Sequence, residues 1–316
     1  MFEAMLIIER IVLNSQSFPY NYTSERHSGQ SSGTIAAMIK TIALLTDFGL
    51  SDAYVGVMKG VMRTICPEAQ HVDITHAIAP QNVPQAAFVL WTAYRYFPPD
   101  TVFLVVVDPG VGTARQPVAV QTAHGTFVAP DNGVLSYILL EIGEWQAAAL
   151  HNPAYHLPEA SHTFHGRDIF SPAAAHLANG VPLAELGPAV DELVRFPVPA
   201  LAVEPTRIQG EVLHIDHFGN IVTSIGALRW IGAHTLRLVP QFGRDHAPIE
   251  TIHAPACRVT VGNHTITGLH AAYGAVAPGT PLVLVGSSGQ LEIGINQGHA
   301  ARTLGIEQGE PVILEQ

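Results

Sequence analysis

The sequence predicts an α/β N-terminal domain with a mostly parallel central sheet, followed by a smaller C-terminal antiparallel β-barrel-like domain. Its 316 residues exceed the length at which one hydrophobic core stops growing, so two domains are expected. The first half alternates strand-like and helix-like segments, which is typical of a parallel sheet with crossover helices. Beyond a Pro-rich stretch, short strand-like segments alternate with turn residues, which favours an antiparallel β domain.

The N-terminal domain is predicted over residues 38–198 and begins with an apolar run at 41–45 that stops at a polar turn. The elements predicted after it are, in chain order, a helix at 54–65, a strand at 71–74, a helix at 84–97, strands at 102–107 and 126–129, and a helix at 169–179. Ligands of open α/β sheets bind beyond the carboxyl ends of the strands. The polar residues that follow these strands are therefore the first candidates for a site.

The C-terminal domain is predicted over residues 207–316. Residues 188–205 are rich in proline, and we place the linker at 199–206. Beyond it the predicted strands are 211–215, 221–223, 235–239, 256–261 and 281–285, each bounded by Gly or Pro turns.

Composition and charge exclude several classes of protein. The formal net charge of −11 opposes binding to a nucleic-acid backbone, and no apolar run approaches the ~20 residues that cross a bilayer. Two cysteines are too few for a disulfide framework and are typical of a cytoplasmic protein. Residues 1–37 lack apolar periodicity and are predicted to be a disordered leader, with Met38 an alternative start.

Two strand ends carry aspartates with two interpretations each. Asp47, in the turn Thr46-Asp47-Phe48-Gly49, is either the cap of the next helix or a carboxylate that accepts hydrogen bonds from ribose hydroxyls. Asp108 is either a turn residue or a site group, and the glycines at 110 and 112 allow close approach of a ligand. No phosphate-binding GxxxxGK[ST] or GxGxxG motif follows a strand.

The segment 162–168, HTFHGRD, is the most polar in this half of the chain and opens a helix. Arg167 and Asp168 either form an ion pair at the helix start or belong to a site with His165. The chain has 17 histidines, but it lacks HExxH and any recurrent ligand spacing, so we predict no metal site. The segments 216–220 and 286–289 have the composition of β-turns. The residues alone predict an α/β enzyme without naming its substrate.

Six motifs occur in order along the chain: TDFG at 46–49, YVG at 54–56, DPGVGTAR at 108–115, PDNG at 130–133, TFHGRDIF at 163–170 and DHFGN at 216–220. Together they resemble those of the S-adenosyl-L-methionine hydroxide adenosyltransferases, which are related to fluorinase and chlorinase. The resemblance covers residues 38–316. It implies hydrolysis of S-adenosyl-L-methionine to adenosine and L-methionine without a cofactor, in a homotrimer whose pockets lie between subunits.

The resemblance also implies residue roles. Water activation is implied for Asp108, Arg115 and His165, ribose binding for Asp47 and an adenine contact for Asn220. Contacts to the methionine moiety are implied for Asp52, Asp216, Ser287 and Ser288. The halogenase branch has Tyr at position 108, and fluorinase has Thr, Ser and Arg at positions 111, 166 and 288, so this chain is most similar to the water-using branch. The proton acceptor is left open between Asp108 and His165.

Two functions from other classes are weighed against this one. A non-catalytic nucleoside-binding protein would need Asp47 and Asn220, but not the water-activating residues. A His-dependent metallohydrolase would act on another substrate and would lose activity on chelation.

Overall fold

The computed structural model describes residues 40–242 and 246–316. The predicted leader and the alternative start at Met38 lie outside the described residues. Within the described part of the chain, no helix is long and apolar enough to cross a membrane.

The N-terminal domain contains a mixed sheet in the strand order β2-β1-β3-β5-β4-β6. Its strands are β1 (Thr41–Thr46), β2 (Gln70–Thr75), β3 (Val102–Val106), β4 (Pro117–Thr122), β5 (Gly125–Pro130) and β6 (Trp145–Ala149). The pairs formed by β2, β1, β3 and β5 are parallel, whereas β4 is antiparallel to both of its neighbours. The carboxyl ends of β1 and β3 are therefore adjacent at one edge of the sheet.

Helices cover both faces of this sheet. They are α1 (Tyr54–Ile65), α2 (Val83–Ala93), α3 (Ser136–Glu141) and α4 (Ser171–Ala178), with a π-helical turn at Gly166–Phe170 directly before α4. One core cluster includes residues of α1 and α4, among them Met58 and Ala174, and the other includes residues of α2 and α3, among them Phe88 and Ile138. The two faces of β1 alternate between these cores, since Ala43 and Leu45 belong to one and Ile42 and Leu44 to the other.

Several predicted elements needed correction. Strands β4 and β6 were missed; they add two antiparallel pairs to a sheet whose other three pairs are parallel, so the sheet is mostly parallel as predicted. The helix predicted over 84–97 ends at Ala93 and continues as a 3₁₀ turn to Tyr96. The helix predicted from Ile169 begins earlier, with the π-helical turn.

The C-terminal domain is built from two antiparallel-rich sheets that give it a nearly closed, barrel-like shape. The larger has the order β14-β13-β18-β8-β9-β17-β16-β15 with β7 paired to β8, and the smaller the order β10-β11-β12. The bounds are β7 (Leu201–Val203), β8 (Arg207–Ile215), β9 (Ile221–Thr223), β10 (Leu228–Gly232), β11 (Thr235–Leu238), β12 (Ile249–His253), β13 (Arg258–Val261), β14 (His264–Thr267), β15 (Leu269–His270), β16 (Pro281–Val285), β17 (Leu291–Ile295) and β18 (Pro311–Glu315), with helix α5 at Ala300–Leu304.

The C-terminal domain packs on the face of the N-terminal sheet that carries α2 and α3. The rings of Phe88 and His214 stack with centroids 4.8 Å apart, and Phe242 lies 5.5 Å from Trp91 and 5.8 Å from Tyr137. Strand β7 lies within the predicted linker and pairs with β8, so this segment is tied to the C-terminal sheet.

Candidate active site

Asp108, Arg115 and His165 meet beyond the carboxyl end of β3. Nε of Arg115 donates to both carboxylate oxygens of Asp108, at 2.9 and 3.0 Å, and its Nη2 also contacts Oδ2. The same Nη2 lies 2.8 Å from Nδ1 of His165. The side chains of Asp108 and Arg115 are only 6% and 9% exposed, so this charged pair is shielded from solvent. The three residues predicted to activate water form one connected group.

The loop between Asp108 and Arg115 requires glycine at position 112. Gly112 has φ +75°, and a Cβ built there would lie 2.5 Å from the backbone oxygen of His162. This close approach joins the loop that carries Arg115 to the loop that carries His165. The guanidinium of Arg115 also lies 5.2 Å from the ring centroid of Phe170, on the α4 side of the sheet.

The surroundings of His165 favour its neutral form. Burial lowers its pKa below the ordinary value of 6.5, and the positive charge of Arg115 lowers it further, with a smaller contribution from His162. The carboxylates of Asp108 and Asp168 act in the opposite direction without reversing the shift. The imidazole is therefore uncharged at neutral pH.

The contact between Arg115 and His165 also fixes the tautomer of the histidine. A guanidinium has donors and no acceptor, so Nδ1 of His165 must accept the hydrogen bond. A neutral imidazole that accepts at Nδ1 carries its proton on Nε2. The remaining ring nitrogen of His165 is therefore a hydrogen-bond donor.

Asp47 follows β1, the strand adjacent to β3, and is held by the backbone. Its Oδ2 accepts a hydrogen bond of 2.7 Å from the amide of Gln81, a residue with φ +65° in the loop before α2. Buried Thr46 and His76 support the same turn: their Oγ1 and Nδ1 atoms are 2.9 Å apart, and the carbonyl of His76 accepts from Gly49 at 2.8 Å. Sequence reasoning missed His76, although Thr75-His76 directly follows the strand predicted at 71–74.

Aromatic rings connect the turn of Asp47 with the loop of His165. Phe48 lies 5.8 Å from Phe164 and 5.6 Å from Tyr54 between ring centroids, and Tyr54 lies 5.0 Å from Phe164. Asp52 is exposed in the turn that precedes α1. The three rings form an apolar wall beside the polar strand ends.

In the C-terminal domain, Asp216 and Asn220 form a closed turn between β8 and β9. Oδ1 of Asp216 accepts the amides of Phe218 and Asn220 at 2.9 and 2.8 Å, and Oδ2 accepts Nδ2 of Asn220 at 2.9 Å. Gly219, at φ +85°, completes the turn, since a Cβ there would lie 2.1 Å from the ring of His299. The side chain of Asn220 is thereby fixed in orientation.

Ser287 and Ser288 lie in the turn between β16 and β17, next to the buried carboxylate of Glu292. Glu292 accepts a hydrogen bond from the hydroxyl of Tyr273, and burial raises the pKa of the carboxyl group. A Cβ on Gly286, next to Ser287, would lie 2.5 Å from Oε2 of Glu292. Sequence reasoning missed Glu292, although an acidic residue inside the apolar run Leu-Glu-Ile-Gly-Ile is an unusual feature that marks it.

The predicted site residues thus form two groups. Asp47, Asp108, Arg115 and His165 lie at the strand ends of the N-terminal sheet, with Asp52 in the turn before α1. Asp216, Asn220, Ser287 and Ser288 lie on turns of the C-terminal domain. Among residues 40–242 and 246–316, no hydrogen bond or ion pair joins one group to the other. The C-terminal domain packs on the α2 and α3 side, whereas Arg115 lies against Phe170 on the α4 side.

A cavity of about 430 Å³ lies on the far side of Arg115 and His165 from Asp47, next to the start of β4 and the end of β6. His151 and His156 also line it. In the part of the chain that the structure describes, however, no three His, Cys, Asp or Glu side chains are grouped closely enough to hold a metal ion.

Comparisons with known proteins agree with the motifs. Family models described as the N-terminal and C-terminal domains of SAM hydroxide adenosyltransferase match residues 42–187 and 210–313. The chain is 41% identical over 273 residues to a Salinispora tropica protein named (R)-S-adenosyl-L-methionine hydrolase, covering 85% of this chain and 95% of that one. It is 34% identical over 215 residues to a fluorinase of an Actinoplanes species, covering 58% and 71% of the two chains. A crystal structure of an uncharacterized conserved protein from Thermotoga maritima superposes with a TM-score of 0.75, at 37% identity, over 87% of this chain and all of that chain.

Proposed function

The chain belongs to the SAM hydroxide adenosyltransferase family, and from this premise we propose that it is an enzyme that hydrolyses S-adenosyl-L-methionine to adenosine and L-methionine. The observation that carries the proposal is the shielded, hydrogen-bonded group of Asp108, Arg115 and His165 beside the strand end that carries Asp47. A protein that only bound a nucleoside would have no use for this group.

The chemistry needs little beyond positioning and proton removal. Water attacks C5′, the new O–C5′ bond forms as the C5′–S bond breaks, and the electron pair of that bond stays on the sulfur of methionine. Because a sulfonium is already a good leaving group, no acid is needed to expel it. The enzyme must hold the water in line, within about 3.5 Å of C5′, and accept one proton.

We assign the proton acceptor to Asp108 and the orientation of water to His165. Nε2 of His165 carries a proton when Nδ1 accepts from Arg115, so it donates a hydrogen bond to the water oxygen. The carboxylate of Asp108 keeps lone pairs beyond those that Arg115 occupies and accepts the water proton as attack proceeds. Arg115 holds both partners in place.

The remaining residues are assigned to the substrate. Asp47, whose carboxylate is already oriented by the amide of Gln81, accepts hydrogen bonds from the ribose hydroxyls. Asn220 contacts adenine, and the methionine moiety lies among Asp52, Asp216, Ser287 and Ser288.

A complete pocket needs both groups of residues, and we propose that they come from neighbouring subunits of a homotrimer. Support comes from the packing of the C-terminal domain on the α2 and α3 face of its own subunit, away from the α4 side of Arg115. Exposed apolar side chains near the site, Leu50 at 77% and Phe218 at 72%, provide surface for such a contact. We place the protein in the cytoplasm, which accords with its two free, buried cysteines.

The test is direct product analysis. Purified protein incubated with S-adenosyl-L-methionine should release adenosine and methionine in equal amounts, measured by chromatography against a protein-free control. When the reaction is run in ¹⁸O-water, one label should appear in adenosine, at the 5′-hydroxyl. Binding of the substrate without product would favour the nucleoside-binding alternative.

We further propose that the reaction needs no metal or other cofactor, because departure of a sulfonium requires no Lewis acid. Turnover after exhaustive treatment with EDTA is therefore expected to equal that of untreated protein within error. The control is untreated protein carried through the same dialysis. A loss of activity that zinc restores would contradict the expectation and favour the metallohydrolase.

A further inference from the structure

A fully buried carboxylate, Asp168, lies three residues beyond His165. Its relative exposure is 0%, and a buried charge requires compensation by hydrogen bonds or an ion pair. Oδ2 of Asp168 accepts the backbone amide and the hydroxyl of Ser161, both at 2.8 Å. Arg167 donates to the same carboxylate from Nε at 2.5 Å and from Nη2 at 3.1 Å.

These bonds hold the loop 157–165, which ends at His165. The hydroxyl of Ser161 accepts the amide of Phe164 at 3.1 Å, so the side chain of Asp168 is linked through Ser161 to the residue next to His165. The backbone of Asp168 adds a contact at each end of the loop, because its carbonyl accepts from Leu157 at 2.9 Å and its amide donates to Phe164 at 3.1 Å. The loop is fixed at its start, its middle and its end by one residue.

The π-helical turn makes this arrangement possible. The turn covers Gly166–Phe170, and the hydroxyl of Ser171 donates to the carbonyl of Gly166 at 2.7 Å. Single π-helical turns are rare and are often found at functional sites. Here the turn directly follows His165 and carries the buried carboxylate back toward the loop.

Arg167 also contacts the aromatic wall formed by Phe48, Tyr54 and Phe164. Its guanidinium lies 5.3 Å from the ring centroid of Phe164, the ring that contacts Phe48 beside Asp47. The ion pair of Arg167 with Asp168 thus connects the loop of the histidine with the turn of the ribose-binding carboxylate.

From these contacts we propose that Asp168 is a positioning residue for His165: it clamps loop 157–165 so that the imidazole meets Arg115 in the geometry that orients water. The inference rests on the proposed function for its catalytic consequence, although the effect of Asp168 on His165 is measurable without substrate. Asp168 does not touch the reacting atoms, since both of its oxygens are occupied by Ser161 and Arg167.

The clamp also has an electrostatic consequence. The charged groups that face His165 are Arg115 and Asp108 from the preceding loop, His162 from its own loop and Asp168 from the π-helical turn. Hydrogen bonds from Arg167 and Ser161 outweigh burial and keep the pKa of Asp168 below 3.8, so it is charged across the working range. Its negative charge raises the pKa of His165 and partly offsets the effects of burial and Arg115. Removing that charge should therefore lower the pKa of His165.

Two variants separate positioning from charge. Asp168→Asn removes the charge and weakens the clamp, whereas Ser161→Ala weakens the clamp and leaves the charge. We expect both to lower kcat at least about 10-fold with KM changed less than about 2-fold, since a small misplacement of a catalytic group has a large effect on rate. Only Asp168→Asn should shift the titration midpoint of His165, measured by NMR of labelled histidine without substrate, to lower pH. His165→Gln identifies the signal.

The matched control is Asp100→Asn, the same substitution at the opposite end of β3, where Asp100 lies 3.8 Å from Lys40. It should change neither kcat nor the midpoint. Wild-type kcat in both Asp168→Asn and Ser161→Ala would overturn the proposal, as would an unshifted midpoint in folded Asp168→Asn. If Asp168→Asn does not fold, wild-type kcat in Ser161→Ala alone overturns it. If wild-type protein forms no adenosine, the proposed function fails, while the NMR comparison still decides whether the charge of Asp168 acts on the imidazole of His165.

Discussion

Asp108→Ala and Asp108→Asn are each expected to lower turnover of S-adenosyl-L-methionine at least about 100-fold, and His165→Ala should have an effect of the same order. Asp108 accepts the proton of the attacking water, and Asn at that position keeps the shape but not the basicity. The side chain of Asp47 is held separately by Gln81, so the substrate should still bind. Single-turnover rates measure the first effect, and calorimetric titration with the substrate measures the second.

Replacing His165 by Gln distinguishes orientation of water from proton acceptance. The side-chain amide of Gln reaches the position of Nε2 and can donate a hydrogen bond, but it is not a base. If His165 orients water as a donor, His165→Gln should retain at least about 10-fold more activity than His165→Ala. Equal loss in the two variants would return the role of base to His165, and near-normal turnover in all of these variants would remove the three residues from the mechanism.

The pH profile of the wild-type enzyme tests the protonation state of His165. Protonation of His165 places a donor at Nδ1 opposite the donor of Arg115, which breaks their hydrogen bond. The active form is therefore the neutral one, and activity should be present at neutral pH and lost as pH falls through the lowered pKa, below 6.5.

We expect activity to recover when two inactive variants exchange subunits. Asp108→Ala is defective in the N-terminal group, and a variant with both Asn220 and Ser287 replaced by Ala is defective in the C-terminal group. In a homotrimer with pockets between subunits, every mixed ring contains one junction that joins two intact halves. Random exchange of equal amounts should therefore restore up to about one quarter of wild-type activity, starting from two preparations that are nearly inactive.

The controls are each variant exchanged with itself, which should stay inactive, and mass spectrometry that verifies mixed trimers. An active monomer by light scattering would contradict the shared pocket. Verified mixed trimers without activity would have the same consequence, because each chain would then close its own site.

The sequence predicts those parts of the fold where one physical signal dominates. Strand β3 is apolar at every position and is fully buried, and α1 has bounds identical to those that its helical spacing predicts. Strands β4 and β6 were missed because their signals are mixed: β4 starts with Pro117, and β6 is rich in alanine, which is not typical of strands. Tertiary pairing of β4 with β5 and of β6 with β4, rather than local preference, makes them strands.

The residues of the candidate site also differ in how clearly the sequence indicates them. Asp47, Asp108 and His165 stand out in the chain because they follow apolar strands or precede a helix, whereas Arg115 is indicated only by the resemblance of its motif DPGVGTAR. Residues that act through others do not stand out. Asp168 has the sequence pattern of a surface ion pair with its neighbour Arg167, and only the structure shows that it is completely buried. Glu292 is separated in sequence from Tyr273 and Gly286, which lie against it.

The interface between the two domains of one subunit determines where the chain can be divided. Leu213, Val222 and Phe242 belong to the same core cluster as Trp91 and Tyr137, so the hydrophobic core on the α2 side is completed by the C-terminal domain. An N-terminal fragment ending in the Pro-rich segment would expose that apolar surface to water and would be prone to aggregate. Neither half could thus be exchanged by itself without replacing this shared core.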